Sequence, residues 1–125
     1  KKWVRIFSNS FDIPLSQVQE YTVRTRVLFP RSDIDFYIAY VRGKAVGCAA
    51  LYSKNNVGGI YALGILKEFR DQSVASDMLN AVVKRSKERK NDSLILQFLM
   101  NDNLEIFYRE NGFEKIYSKT IYLLK

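Results

Sequence analysis

The segment Asn101–Phe113, NDNLEIFYRENGF, admits few conformations. Asparagine is a strong helix N-cap, and Gly112 is the residue type best able to take the left-handed conformation that ends a helix. Between them, Tyr108 lies about two turns beyond Asn101, so amide and phenol face one side of a roughly 3.6-residue repeat and could reach one ligand. Phe113 then restarts an extended strand, buried at its first position. The same residues also describe a capped amphipathic helix with a core tyrosine, and this window does not choose between the two.

The rest of the chain supplies the context. KKWVRIFSNSF and LSQVQEYTVRTRVLF carry apolar residues at helical spacing, with Pro14 near the start of the second and Pro30 beyond its end. DFYIAYV and AVGCAALYS flank Arg42-Gly43-Lys44 as a hairpin, and GGIYALGIL makes a third strand. From Ser73 to Lys90, Val74, Met78, Ala81, Val82 and Arg85 share one mainly apolar face, which predicts a long helix packed on the sheet. SLILQFLM is a continuous apolar run and reads as a central strand buried on both faces. FEKIYSKTIYLLK alternates well enough for one or two closing strands. The pattern is α+β, around a mixed sheet that starts antiparallel.

Two readings of composition limit the function. With 125 residues and 47% hydrophobic content, the chain is expected to form a single domain over residues 1–125. One cysteine and no histidine leave no disulfide framework, no recognisable zinc set and no metal site. Cys48, within VGCAALY, reads as a buried small side chain. No apolar stretch approaches the roughly 20 residues that span a bilayer, and no signal-peptide pattern opens the chain, so a cytoplasmic protein without a membrane partner is expected.

Asn101, Leu104, Tyr108, Gly112 and Phe113 together resemble the last motif of the GNAT superfamily, the Gcn5-related N-acetyltransferases. Upstream, GGIYALGILKEFRDQSVASDML resembles that superfamily's acetyl-CoA motif, in which a strand runs into an Arg-or-Gln-x-x-Gly-x-Gly-or-Ala turn that opens a helix. Here the turn is Arg70, Asp71, Gln72, Ser73, Val74, Ala75. The order and separation of the two motifs agree, and the resemblance extends from about Phe36 to Tyr122. It implies a three-layer fold: a mostly antiparallel central sheet, splayed between the family's fourth and fifth strands, with helices on both faces. It also implies an acetyl-CoA-dependent N-acetyltransferase acting on an amine-bearing small molecule, peptide or protein. The family's usual first strand is not visible before Trp3. Either a short strand hides in the opening residues or the chain is the C-terminal domain of a longer protein, and the second is favoured.

The resemblance assigns roles residue by residue. Leu63, Gly64 and Ile65 match the distorted strand along which the acetyl-pantetheine arm lies. Gly64 adds a small independent argument, because glycine weakens a strand unless a bulge or a close approach requires it. Asp71 to Ser76, including Gln72, Ser73, Val74 and Ala75, would offer backbone N–H groups to the pyrophosphate at a helix start, with Arg70 adding charge. The usual glycines are replaced by Asp71 and Ser73, which narrows the approach and sets a carboxylate near phosphates. Tyr108 matches the general acid that protonates the leaving thiolate, and Asn101 would bind the coenzyme or orient the helix. No general base is evident: the family's glutamate positions hold Tyr61, Leu96 and Gln97. Ordered water, Tyr61 or a low acceptor pKa are the alternatives. Tyr21, Arg24 and Arg26 are candidate acceptor-lining residues.

The formal charge of +7 would attract any polyanion, coenzyme A or nucleic acid. The basic run KRSKERK, Lys84–Lys90, falls at a helix end where cations complement the dipole, and no aromatics interleave with it, which favours a solvated helix end over a nucleic-acid surface. Three functions are carried forward: the transferase, a weak or inactive coenzyme A-binding regulatory module, and a basic nucleic-acid binder. A closing strand such as KTIYLLK could also pair with a second copy in a homodimer.

Overall fold

The computed structural model describes residues 2–70, 73–98 and 102–116. Two helices open the chain, α1 (Lys2–Ser10) and α2 (Leu15–Arg26). Three strands follow, β1 (Ile34–Val41), β2 (Lys44–Lys54) and β3 (Val57–Ile65), then a 3-10 turn over Lys67–Phe69, α3 (Val74–Glu88), β4 (Ser93–Leu96) and α4 (Asp102–Glu110). The strands lie in the order β1-β2-β3-β4, antiparallel except for the parallel pair β3–β4.

Local chemistry explains the meander. Arg42 (φ 51°) and Gly43 (φ 81°) form the first tight turn, and Asn55 (φ 53°) and Asn56 (φ 65°) the second. Two successive positive φ angles give the turn twist that matches a hairpin, and asparagine tolerates that region better than most residues.

Two apolar clusters make three layers. On one face Val46, Ala49, Leu51, Ile60 and Ile65 pack against Val74, Met78, Leu79 and Val82 of α3, with Tyr108 of α4 in the same cluster. On the other, Trp3, Val4 and Ile6 of α1 pack against Cys48 and Ala50. The strand buried on both faces is therefore β2, whose run Val46–Leu51 is buried throughout, and not β4. Small residues at 47–50 let helices approach from either side. β4 is shorter than the apolar run SLILQFLM suggests: Leu94 and Leu96 are half-buried, while Ile95 is exposed. It is the last strand among the described residues. Residues 113–116 form no strand, and 117–125, including the whole KTIYLLK segment, lie outside the described residues.

The buried face of α3 is also rotated from the sequence reading. Val74, Met78, Leu79, Val82 and Ser86 are buried, whereas Ala81 is exposed. Arg85 turns instead to Asp35 of β1 at 3.3 Å, joined by Arg89 at 2.6 Å. Burial pushes the Asp35 carboxyl up, but the hydrogen bonds and charges of Arg89 and Arg85 outweigh it and hold it below the usual value. Two cations of the basic run thus clamp the helix end to the sheet. Lys84, Lys87 and Lys90 stay exposed.

Cys48 is fully buried, its thiol donating to the Ala62 carbonyl at 3.3 Å, and burial pushes its pKa up to about 12. A thiol disfavoured as thiolate is inert. An aromatic disulfide reagent at pH 8 should leave it unmodified in the native protein and titrate one thiol after denaturation. The raised value also means that the folded state loses this contribution as pH climbs from about 9 toward about 12.

Candidate active site

The site begins where the parallel pair ends. β3 and β4 are registered from Val57↔Ser93 to Ile60↔Leu96 and no further, while β3 runs on to Ile65. Beyond Ile60 the β4-facing edge of β3 has no strand partner among the described residues. A bulge accompanies the parting. Cys48 faces Gly64 and Ala50 faces Tyr61, so Ala62 and Leu63 together stand opposite Ala49, and Ala62 takes φ 58°. The sequence does not mark this position, because alanine has no special affinity for positive φ.

Leu63, Gly64 and Ile65 lie on this segment, and Gly64 and Ile65 remain paired with β2. The bulge falls at Ala62 rather than at Gly64. What Gly64 provides is room: a Cβ there would stand 2.6 Å from the Phe11 ring and 2.8 Å from the Ser10 Cβ. The C-terminal end of α1 therefore sits directly on β3. Gly64→Ala should cost about 1–3 kcal/mol, since Ser10 is fixed by the helix even if the Phe11 ring swings away. An unchanged urea midpoint would contradict this packing.

The family turn is partly described. Asp71 and Gln72 lie outside the described residues. Ser73 is the N-cap of α3 but makes no side-chain cap hydrogen bond; its hydroxyl points to Asp77 at 3.5 Å instead. Val74 is buried, with Ala75 and Ser76 half-buried behind it. The first-turn amides are thus uncapped by Ser73, as an anion site requires, although Asp77 sets a carboxylate in the same turn. Arg70 has a more structural place than its charge suggested. Its Nε donates to the Ile65 carbonyl and its Nη2 to the Ser10 carbonyl, both at 2.9 Å, tying the end of β3 to the end of α1.

Tyr108 is held from several sides. Gly112 (φ 93°) ends α4: its amide donates to the Arg109 carbonyl at 3.1 Å, and the Phe113 amide to the Tyr108 carbonyl at 3.0 Å. This pair of hydrogen bonds is the Schellman cap, with its usual apolar contact in the Phe113 ring lying edge-on to Tyr108 at 5.9 Å. Phe98, two residues past β4, lies 5.0 Å from the same ring, and Phe107 5.2 Å. The Gly-Phe pair thus fixes the tyrosine rather than starting a strand. Only 8% of Tyr108 is exposed, and burial raises its phenol pKa above the usual 10, so the phenol keeps its proton at neutral pH. Asn101 lies outside the described residues.

On the α1/α2 face, a cavity of about 280 Å³ opens against Tyr61 and Ala62, where β3 leaves β4. Trp3, Thr25, Leu28, Phe36 and Tyr52 are among its walls. The expected lining residues Tyr21, Arg24 and Arg26 are absent from it. Tyr21 packs on Phe7 at 5.4 Å, Arg24 pairs with Glu20 one turn back at 2.6 Å, and Arg26 is exposed. The residues after α2, with no helical period to read, supply the wall.

The model of the Acetyltransferase (GNAT) domain family matches residues 32–115, more than half of the chain. None of the curated proteins matches the sequence significantly. Among solved structures, AAC(6')-Iy in complex with a CoA-containing bisubstrate analogue superimposes with a TM-score of 0.79 at 16% identity, over 100% of this chain and 93% of that one. A transcriptional regulator from Bacillus halodurans gives 0.79 at 14% identity over 98% and 93% of the two chains. The aminoglycoside antibiotic 6'-N-acetyltransferase AAC(6')-IG from Acinetobacter haemolyticus gives 0.76 at 16% identity over 98% and 89%. Likeness at such identities establishes the fold.

Proposed function

Because the chain belongs to the GNAT acetyltransferase family, we propose that it is an acetyl-CoA-dependent N-acetyltransferase acting on a primary amine. The observation that carries this reading is the parting of β3 from β4 beyond Ile60 and Leu96, with Tyr108 clamped between Phe98 and Phe113 at the same end. Leu63, Gly64 and Ile65 would hold the pantetheine arm. Residues Arg70, Asp71, Gln72, Ser73, Val74, Ala75 and Ser76 would frame the pyrophosphate, and Asn101 would stand at the mouth. The cavity beside Tyr61 would admit the acceptor.

The chemistry then asks little of the protein. A neutral amine adds to the thioester carbonyl; a C–N bond forms, the C–S bond breaks, and the departing sulfur takes the Tyr108 proton. The proton lost by the amine goes to water, directly or past Tyr61, and solvent restores the phenol. Tyr108 spends no energy on orienting, because Phe98, Phe113 and the cap have already fixed its ring.

A regulatory coenzyme A-binding module is the second reading, favoured by Asp77 in the first turn of α3 and by the carbonyls that occupy Arg70. Thiol release from acetyl-CoA, followed with mass analysis of the amine product, separates the two. Amine-dependent thiol release with a product heavier by one acetyl group is the expected result. Coenzyme A binding without any release across a broad amine panel would establish the module instead.

A further inference from the structure

We infer that the cavity beside Tyr61 selects a small, apolar, singly charged amine, an arylalkylamine or branched alkylamine, and rejects polycations. The inference takes from the transferase reading only that an amine is the occupant; the selectivity comes from the cavity itself.

The cavity is an open cleft of about 280 Å³, enough to seat an aryl ring or a branched alkyl group against its walls. Its chemistry sets the limit. Trp3, Leu28, Phe36 and Tyr61 are apolar walls, and among the described residues that line the cavity none is a carboxylate. Arg31 is the one charged residue among the described residues that line it, and it is already matched. Its Nε and Nη2 donate to the two Asp33 carboxylate oxygens at 3.0 and 2.6 Å, and its guanidinium lies 5.7 Å from the Tyr52 ring centre. The wall is therefore electrically neutral and offers a second or third ammonium group no partner. Burying an unpaired ammonium is strongly unfavourable, and the chain's net charge of +7 adds repulsion at long range.

The same apolar wall addresses the missing general base. Desolvation lowers the pKa of an ammonium group, so a monoamine with its body in this cavity is delivered closer to the neutral, nucleophilic form without a glutamate. Tyr61 is the wall nearest the parted strands. Its ring folds back over Gly59, where a Cβ would meet the ring at 2.9 Å and the phenol oxygen at 3.2 Å. Gly59 thus seats Tyr61 at the edge of the cavity.

Trp3, the only tryptophan in the chain, reports on the cavity directly. The test is a titration of its fluorescence with 2-phenylethylamine, 1,4-diaminobutane and sisomicin, on the native chain and on Leu28→Asp and Gly59→Ala variants checked for folding by circular dichroism. The expected result is saturation by 2-phenylethylamine below roughly 1 mM, with the diamine and sisomicin at least about tenfold weaker. Leu28→Asp should narrow or invert that ratio by giving the second ammonium a partner, and Gly59→Ala should weaken the aryl amine by displacing Tyr61. Equal or tighter binding of the diamine or sisomicin by the native chain, or no Trp3 response to 2-phenylethylamine, overturns the inference. Acetyl-CoA binding is measured separately on the same protein. If the amine saturates and acetyl-CoA does not bind, the transferase reading fails and the pocket stands; the converse leaves the transferase and removes the selectivity.

Discussion

Tyr108→Phe is expected to reduce turnover by about 10²- to 10⁴-fold, the usual contribution of a positioned general acid, while leaving acetyl-CoA affinity within a factor of a few. The variant keeps the ring contacts with Phe98, Phe107 and Phe113 and the backbone cap, none of which uses the phenol oxygen. The folded state should therefore survive. The pH dependence has a definite sign. Burial raises the Tyr108 pKa above 10, so the acid form persists throughout the neutral range, and loss of the phenol proton lowers the rate only above pH 10. The raised value likewise means that the native state loses stability as pH climbs above 10, a small loss that Tyr108→Phe should abolish. Turnover unchanged in the variant would transfer the proton-donor role to water or to another residue.

Trp3→Ala should produce the largest change in stability, about 3–5 kcal/mol, because it removes three kinds of contact at once. The indole stacks on Phe7 at 5.5 Å and meets Phe36 edge-on at 5.2 Å, and its N–H donates to the Ala49 carbonyl at 3.1 Å. Ala49 is the residue that the β2–β3 register skips, so the indole also satisfies a carbonyl beside the bulge. For a chain of this size the loss corresponds to a fall in melting temperature on the order of 10–20 °C. A fall of only a degree or two would mean that α1 is held chiefly by the Gly64 and Arg70 contacts at its other end.

Much of this was legible in the sequence, and the reasons are particular. The element order followed from apolar spacing and from turn residues such as Arg42-Gly43, and the cap at Gly112 followed from the need for positive φ. The rotated face of α3 did not follow, because Arg85 and Arg89 are drawn to Asp35, a partner 50 or so residues away that no local period reveals. Apolar content misled at SLILQFLM. Burial on both faces depends on what covers a strand, and here the small residues of β2 occupy the middle of the sheet. At the site, Tyr108 and the β3 segment were marked by type and spacing. The bulge at Ala62, the tie of Arg70 to two carbonyls, and the cavity wall at Leu28 and Arg31 were not, since each is a product of packing between distant segments.

The central claim is that the gap between β3 and β4, with the start of α3 that Ser73 leaves uncapped, receives acetyl-CoA. Isothermal titration of the purified chain with acetyl-CoA tests it most directly. One molecule bound per chain at micromolar strength, weakened as ionic strength rises because phosphates are part of the contact, is the predicted result. An absence of heat up to millimolar acetyl-CoA, in protein shown to be folded, would contradict it.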